Sequence, residues 1–538
     1  MDGGIKQEEM AEIVKLEVKE GALRRRSGRA FALAPGNHDK RTVTAVEMQK
    51  RGSSGVSPSS TARHSSHDAD ASYSEASLVS LPPSQPSTRC KLSSLVPSEK
   101  LSFGRSDTFL TMFYLEHVLP FLFPFYDPTS DGGKAWILEM MISSPVVRQA
   151  TLCQSSYFHS LANATASQDE VWETIVAQSK EAFGMLGQAL KVIEGSDIAN
   201  HQHGAVRVLA SIMQVQRFEI SLLSFENCHA HLDAAMALFK QLLSSVDPEG
   251  CMEPRLRLHT LSEHLGPSLV VAQSIPVPSA EQMAFKFSAS LLILDDIIAS
   301  TVLREEPRLL QYHAALEKVG FCEAIIDLEA ITGCQNWVMQ RISDIAVLHT
   351  WKYKNQTAGT LDVIELVRRA TIIKDSLETS LTSLETQTAV NSTRASPFIG
   401  IFGQQSTHLS QTPLVTRIWA HAALIYLSVV VSGWQRASTE VRYHVEQVLN
   451  LLEHQISPPT LLRTMSWPFA VVGCVADPGQ QDLLRRLVEP LQPATLFGTV
   501  RKALHIIEQA WEIREQGDPM NYELTPAFKC HGNLVLLV

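Results

Sequence analysis

The chain has 538 residues, of which 45% are hydrophobic and 19% are charged, a balance typical of globular proteins. Its formal net charge of −10 is unevenly distributed. Residues 1–105 contain 16 Lys and Arg against 12 Asp and Glu, whereas residues 106–538 contain 30 against 44, a net of −14. Because an acidic body repels phosphate, this distribution argues against a large globular region that binds nucleic acid by itself.

The eight cysteines exclude two further classes of protein. They are scattered along the chain with no close pairs, whereas zinc sites and disulfide frameworks place cysteines close together. Reduced thiols in a cytosol or nucleus fit this pattern. The polar, acidic start, MDGGIKQEEMAEIVKLEVKEG, does not resemble a secretory signal peptide. We therefore expect an intracellular protein with no metal site and no cofactor.

Residues 1–105 are predicted to form a long disordered arm. The stretch at positions 51–81 is rich in Ser and nearly free of large apolar residues. Such a segment cannot bury enough surface to offset the entropy of ordering. The arm is therefore expected to lack a packed core of its own.

Two features of the arm are candidate functional sites. A basic run is typical of either a nuclear-import or phosphate-contacting segment or a solvated patch, and it consists of Arg24, Arg25, Arg26 and Arg29. Lys6 and Lys15 each fit the hydrophobic-Lys-x-Glu pattern of SUMO acceptors. Neither feature has the aromatic residues or the folded platform that reading of DNA bases requires.

Residues 106–538 are predicted to form a multi-helix domain, so the fold class is all-α. Ser106 and Asp107 are good N-caps for a first helix. Apolar residues then recur with the helical period, whereas the alternation typical of strands is scarce. One such stripe consists of Leu232, Ala235, Met236, Phe239, Leu242 and Leu243, and two more begin at Val441 and Val500.

Breaks between the helices are predicted at four places, namely Ser244–Ser279, Gln387–Thr412, Pro458–Pro459 and Pro490–Pro493. They leave segments 106–243, 280–386 and 413–516, which we expect to pack as layers of one domain. The apolar segment Leu414–Val431 falls short of the roughly 20 apolar residues of a transmembrane helix. A buried core helix is therefore predicted there, and no membrane contact.

The common signatures of an active site are missing from the sequence, among them the phosphate-binding, dinucleotide-binding, zinc-protease and nucleophile-elbow motifs. Asp295 and Asp296 come nearest to a metal-dependent enzyme, because carboxylates clustered in one helical turn can hold Mg²⁺ against a diphosphate. Ala299 stands where a third carboxylate would complete the cluster. We interpret the two as a solvated or capped acidic pair and predict no catalytic residue.

A second group contains residue types that bind metals, and its members are His201, His203, Cys228, His229 and His231. Residues two apart lie on different faces of a helix, so His201 and His203 could not both bind one ion from one helix. Cys228 and His231 could share a face, but a closed zinc site needs four convergent ligands. A half-buried histidine at position 231 is therefore the preferred interpretation.

Seven segments of the body share their order and spacing with a known family. They begin with FYLEHVLPFLFPFYDP and are Phe113–Pro128, Gly132–Phe158, Glu226–Leu243, Leu291–Thr301, Ile331–Leu348, Met465–Ala476 and Ala503–Glu515. Together they resemble the regulatory domain of fungal-specific transcription factors of the zinc-cluster type, over residues 106–538. The resemblance implies an all-helical module that receives a signal and helps govern transcription, often of genes for secondary metabolism, nutrient use or drug tolerance.

The sequence departs from this family's pattern in one respect. Members usually carry an N-terminal six-cysteine cluster that binds two zinc ions and docks a helix in the major groove, but the first cysteine here is Cys90. We therefore identify no DNA-binding residue and expect indirect or weak DNA contact, through other transcription factors or co-regulators. A cluster encoded upstream of Met1 and a divergent role without DNA stay open.

The sequence thus predicts a non-enzymatic transcriptional regulator in the nucleus, with a small-molecule effector among its expected partners. Its oligomeric state is not predicted. Two alternatives stay open, an all-α Mg-dependent enzyme that uses Asp295 and Asp296, and a helical scaffold without a regulatory role.

Overall fold

The structure is a computed structural model that describes residues 104–126, 133–163, 184–188, 191, 198–225, 227–266, 278–317, 325–391, 408–433, 435, 438–516, 529–530 and 533–538. All of them belong to one compact unit, Lys91–Val538. Residues 1–103, which make up almost all of the arm predicted to be disordered, lie outside the described residues. Lys6, Lys15 and the basic run lie outside them as well. Those expectations therefore stay predictions.

Helices dominate the described residues, which confirms the all-α fold class. In chain order they are α1 (Arg105–Phe113), α2 (Leu119–Leu122), α3 (Ala135–Ser143), α4 (Pro145–Asn163), α5 (Gln202–Ser221), α6 (Cys228–Val246), α7 (Pro254–His264), α8 (Ala280–Leu303), α9 (Glu329–Thr332), α10 (Asn336–Thr357), α11 (Val363–Asn391), α12 (Thr412–Ser432), α13 (Thr439–His454), α14 (Ser466–Val475), α15 (Gln481–Val488) and α16 (Gly498–Gln516).

Shorter elements join these helices. A π-helical turn, Tyr114–Val118, links α1 to α2, and the 3₁₀ segments are Ile198–Asn200, Leu310–Leu316, Leu409–Gln411, Pro459–Met465, Pro478–Gln480 and Ala494–Phe497. Near the C-terminus, β1 (Lys529–Cys530) pairs antiparallel with β2 (Asn533–Leu534), with Lys529 opposite Leu534. Two strands of two residues each leave the fold class unchanged.

Helix α12 lies at the centre of the C-terminal half. It packs against α10, α11, α13 and α14, and it is apolar on nearly every side, as a helix surrounded by others must be. Among the helices described, it is the one long and apolar enough to cross a membrane, but 78% of its most apolar window is buried inside the protein. The core helix predicted at Leu414–Val431 is confirmed.

Helix α8 has the same role nearer the N-terminus. Its neighbours are α3, α5, α6 and α10, and its interior residues from Leu291 to Val302 are buried. One continuous hydrophobic core runs from Tyr114 to Leu537 and takes residues from all three predicted segments. The apolar stripe on α6 is buried throughout, from Leu232 to Leu243, as its helical period predicts.

Two local predictions were wrong. Helix α7 lies inside the predicted break at Ser244–Ser279, because Leu258 and Leu261, three residues apart, form a short apolar stripe that is fully buried. The first helix begins at Arg105 with Gly104 as its N-cap, and neither Ser106 nor Asp107 is the cap. The backbone N–H of Thr108 already donates to the Gly104 carbonyl, 3.0 Å away, so helical hydrogen bonding starts two residues early.

Candidate functional site: a cationic cavity in the helical core

A cavity of about 60 Å³ lies where parts of the chain that are far apart in sequence meet. Helices α2, α4, α5, α8, α9, α12 and α16 contribute to its wall, together with the 3₁₀ segment Pro459–Met465 and Val538. Apolar side chains such as Phe121 and Phe158 form much of this wall. Two guanidinium groups, those of Arg217 and Arg463, also line it.

Arg463 is held in place by the backbone of α2. Its 3₁₀ segment starts at Pro459, whose fixed φ suits a first helical position. The Nη2 atom donates to the carbonyl oxygen of Phe121 at 2.6 Å and also to that of Leu122, so the arginine satisfies carbonyls that the end of α2 leaves open. The guanidinium carbon lies 4.9 Å from the centre of the Phe121 ring, in cation–π contact.

No carboxylate neutralises Arg463 in the part of the chain that the structure describes. Both acceptors of its hydrogen bonds are backbone carbonyls, and its Nε atom is buried without a partner. Burial, together with repulsion from Arg217, lowers the pKa of Arg463 to about 10. The group therefore stays protonated at neutral pH, and it brings an uncompensated positive charge into the cavity.

Arg217 differs because it has a counter-ion. Its Nη2 atom lies 2.5 Å from Oδ1 of Asp295, which joins α5 to α8 across the core. Burial raises the pKa of Asp295 to about 6, against the opposing attraction of Arg217. The carboxyl is ionised at pH 7, and the two charges cancel. Asp295 Oδ2 and Arg217 Nε are nevertheless buried, and no hydrogen-bond partner for either atom lies in the described part of the chain.

Trp419 adds a neutral donor to the cavity wall. It lies on α12, is 1% exposed, and stacks on Trp467 with the ring centres 5.5 Å apart. Its indole Nε1–H has no hydrogen-bond partner among the described residues, although a buried indole usually finds one. The cavity thus combines a net positive charge with an unused N–H donor, and such a site is suited to binding.

Gly333 fixes the piece of wall formed by α9. It ends this short helix in the left-handed conformation, with φ of 75°. A Cβ atom there would lie 2.4 Å from the ring of Phe125. Glycine is therefore required both by the backbone and by the close approach, and it positions Ile331 and Thr332 at the cavity.

Comparisons with known proteins identify the domain around this cavity. The model of the fungal specific transcription factor domain matches residues 108–528. The chain belongs to the fungal specific transcription factor family. The transcription factor dibT of Pestalotiopsis microspora is similar over 100% of this chain and 93% of its own length, with 31% identity.

Other relatives are also named as regulators of transcription. The pestheic acid cluster transcriptional regulator 3 of Pestalotiopsis fici is 26% identical over 76% of this chain and 71% of its own length. A trichothecene biosynthesis transcription regulator of Fusarium sporotrichioides is 26% identical over 80% of this chain and 97% of its own. No solved structure matches significantly. The predicted family and the role in transcriptional regulation are confirmed.

The two acidic residues on α8 have different structural roles in this regulator. Asp295 pairs with Arg217, whereas Asp296 accepts backbone N–H groups of Arg308 at 3.1 Å and Leu309 at 2.8 Å. Burial raises the pKa of Asp296. The prediction of a capped pair holds for Asp296, but neither residue is solvated, since Asp295 is 0% and Asp296 3% exposed.

The second predicted candidate group is also dispersed. Each histidine has its own acidic neighbour. The distances are 2.9 Å from His231 Nε2 to Glu219 Oε2, 3.0 Å from His229 Nδ1 to Asp233 Oδ2 and 3.8 Å from His203 Nδ1 to Glu281 Oε2. Cys228 is buried, and burial raises the pKa of its thiol to about 12. Over the described residues, no three His, Cys, Asp or Glu side chains converge where they could hold a metal ion.

Sequence reasoning missed the arginines of the cavity. Arg217 interrupts the apolar face of α5, and Arg463 stands in the apolar run LLRTMSWPFA. A charged residue within an apolar stretch is a signal, because Arg is almost never fully buried unless it is paired. The signal does not reveal the partner, which in each case comes from a distant part of the chain.

Proposed function

We propose that this protein regulates a gene cluster for secondary metabolism in the nucleus, that it acts through a DNA-bound partner, and that it catalyses no reaction. The observation that carries the proposal is the full-length similarity to dibT, together with relatives whose names refer to pestheic acid and trichothecene biosynthesis. Those names describe the relatives. Similarity over most of this chain and most of each relative's own length supports the same type of role here.

Action through a partner is supported by the charge and cysteine patterns. The family domain lies within the region of net charge −14, which disfavours a phosphate interface. Its cysteines are mostly core residues, since Cys153, Cys228, Cys334 and Cys474 are buried. A partner that binds DNA would supply the sequence specificity that this acidic surface lacks.

Deletion of the gene, followed by measurement of all transcripts, tests the regulatory role. We expect transcripts of one biosynthetic gene cluster to fall together and to recover when the full chain is reintroduced. Unchanged transcripts, with a growth or assembly defect instead, would support the scaffold alternative.

A binding experiment tests the requirement for a partner. The purified chain is titrated against promoter fragments of the affected genes, alone and with nuclear extract. We expect sequence-specific retention only in the presence of extract. Specific binding by the purified chain alone would contradict the proposal of indirect contact.

Nuclear entry is tested with the basic run of the arm. A fluorescently tagged variant with Arg24, Arg25, Arg26 and Arg29 replaced by Ala is expected to accumulate in the cytoplasm, if the run is an import signal. The matched control, Lys6→Arg with Lys15→Arg, alters the same arm without removing charge and is expected to remain nuclear. Equal distributions of the two variants would assign the basic run to the solvated-patch interpretation.

A further inference from the structure

The cavity in the helical core contains a positive charge for which no described side chain provides a counter-charge. Asp295 neutralises Arg217, whereas the partners of Arg463 among the described residues are carbonyl oxygens and an aromatic ring. The Arg463 guanidinium cannot become neutral by losing its proton, because its pKa remains far above neutral pH. Arg463 is partly buried, and a charge withdrawn from water without a counter-charge is costly to a fold, so an anion that enters the cavity would relieve an existing imbalance.

Unused hydrogen-bond donors lie in the same wall. Arg217 is 8% exposed and Trp419 is 1% exposed. Within the ranges that the structure describes, the Nε–H of Arg217 and the Nε1–H of Trp419 have no hydrogen-bond partner. The Nε–H of Arg463 is also without one. Buried donors in native proteins are nearly always satisfied, and three unsatisfied donors around one cavity indicate an acceptor that binds there.

The size and lining of the cavity restrict that acceptor. A single water needs roughly 10–15 Å³ of such space, so about 60 Å³ accommodates an organic group of only a few non-hydrogen atoms. Phe121, Phe158, Ile220 and Leu294 supply apolar wall next to the guanidinium groups. One uncompensated positive charge matches a monoanion better than a dianion, which would leave an excess negative charge beside Asp295.

We propose that this cavity is an effector site for a small monocarboxylate, or for the carboxylate end of a larger metabolite. The carboxylate accepts hydrogen bonds from Arg463 and Trp419, and its apolar end packs against the phenylalanine rings. The site connects α2, α5, α12 and α16, so a bound anion would tie together helices from both halves of the domain. This inference does not depend on which genes the protein regulates, because binding is measured on the purified chain.

The first test compares anions with their neutral analogues. Thermal unfolding and saturation-transfer NMR of the purified full-length protein are measured with acetate, propionate and isobutyrate, at constant ionic strength and neutral pH. Acetamide, propionamide and isobutyramide serve as matched neutral probes, and inorganic phosphate serves as an anion of higher average charge. A ligand that binds the folded state alone raises the unfolding temperature in proportion to the logarithm of its concentration above Kd.

We expect at least one carboxylate to raise the unfolding temperature and to show saturation transfer, while its amide does neither. Equal effects of carboxylate and amide would show that the charge of Arg463 is not used. A stronger effect of phosphate than of any carboxylate would overturn the choice of ligand class. No effect from any carboxylate would overturn the site itself.

The second test removes the charge. Arg463→Met is expected to weaken carboxylate binding about ten- to a hundredfold, the loss typical of one charge-assisted hydrogen bond. The matched control is Arg501→Met. Arg501 also donates to a backbone carbonyl, that of Leu491 at 3.3 Å, and its buried Nε has no hydrogen-bond partner among the described residues. Unlike Arg463, it does not line this cavity. This control is expected to bind as the unaltered protein does.

Arg463→Lys covers the case in which the methionine variant does not fold. Lysine keeps the positive charge, so this variant should still distinguish carboxylate from amide, with an affinity below that of the unaltered protein. If Arg463→Met is folded and binds carboxylate with full affinity, or if Arg501→Met loses binding equally, the assignment of the site is wrong.

Discussion

Two buried polar regions of this regulator differ in whether their side chains are ionised at neutral pH. Around the cavity, Arg217, Asp295 and Arg463 are ionised at neutral pH, although burial raises the pKa of Asp295 to about 6 and lowers that of Arg463 to about 10. Between α12 and α13, the Nδ1 atoms of His421 and His444 lie 3.0 Å apart. Burial lowers their pKa values to about 3 and about 4, so both rings are neutral.

The difference follows from the chemistry of the side chains. A histidine can lose its proton when it is buried, and the pair between α12 and α13 then becomes an ordinary neutral hydrogen bond within the core. An arginine keeps its proton and must find a counter-charge. Asp295 provides one for Arg217, and Arg463 has none among the described residues. The histidine pair therefore has a structural role, whereas Arg463 indicates a place for an additional anion.

The largest expected effect concerns acid unfolding through the histidine pair. The folded-state pKa values lie below the 6.5 of an ordinary histidine, so the unfolded chain takes up protons first as the pH falls. The stability from these rings is fully present above pH 6.5 and is lost as the pH falls toward about 4, at up to about 1.4 kcal/mol per pH unit for each ring. Urea unfolding at several pH values measures this loss.

The control for this prediction is the variant His421→Asn with His444→Asn, which keeps a donor and an acceptor but cannot take up protons in this range. It should lose much less stability than the unaltered protein between pH 6.5 and 4. Parallel curves for the two proteins would show that the pair does not set the acid sensitivity.

The second prediction removes the partner of the buried carboxylate. Arg217→Met should lower the free energy of unfolding by about 3–5 kcal/mol at pH 7, because it leaves the buried Asp295 carboxyl without its counter-charge. The loss should shrink as the pH falls, because without the lowering effect of Arg217 the pKa of Asp295 rises further and the carboxyl takes up a proton. Denaturant titrations at pH 7 and pH 5 measure both effects.

A double variant makes this test specific. Arg217→Met combined with Asp295→Asn removes both charges and should recover most of the lost stability at pH 7. A double variant as unstable as the single one would mean that Arg217 stabilises the core by packing and not by charge.

The third prediction is a pH dependence opposite to that of the histidines. The folded-state pKa of Asp295, about 6, lies above its ordinary value of 3.8. Its contribution is therefore fully present below pH 3.8 and is lost as the pH rises to about 6, a change of about 3 kcal/mol. We expect the stability of the unaltered protein relative to Asp295→Asn to fall over this range, and a constant difference would contradict the raised pKa.

The smallest expected effect concerns Asp296. Asp296→Ala should cost about 2 kcal/mol, because the backbone N–H groups of Arg308 and Leu309 lose their acceptor. Asp296→Asn keeps one acceptor oxygen and should cost roughly half as much. Thermal unfolding of both variants, with and without Mg²⁺, measures the loss.

The same experiment tests the enzyme alternative. A structural role predicts that Mg²⁺ leaves the unfolding temperature of the unaltered protein unchanged. An increase with Mg²⁺ that is lost when both Asp295 and Asp296 are replaced by Asn would instead support a metal site on α8.

Helical class and core stripes could be predicted because they depend on local periodicity. The residues of α6 from Leu232 to Leu243 fall on one face at helical spacing, and that face is buried whatever packs against it. Helix α7 was missed because its stripe is short, with Leu258 and Leu261 inside a Pro-bearing stretch. The family could also be identified from the sequence, because its core segments follow one another along the chain in the family's order and spacing.

The sequence by itself determined that this protein is a helical transcriptional regulator with an acidic body. Only the tertiary structure decided which charges meet, because Arg217 and Asp295 are 78 residues apart, and Arg463 and Phe121 are 342 apart. Periodicity follows from bonds between near neighbours, so it can be read locally. A cavity and its charge balance arise where distant segments pack together, and no short window of the sequence contains that arrangement.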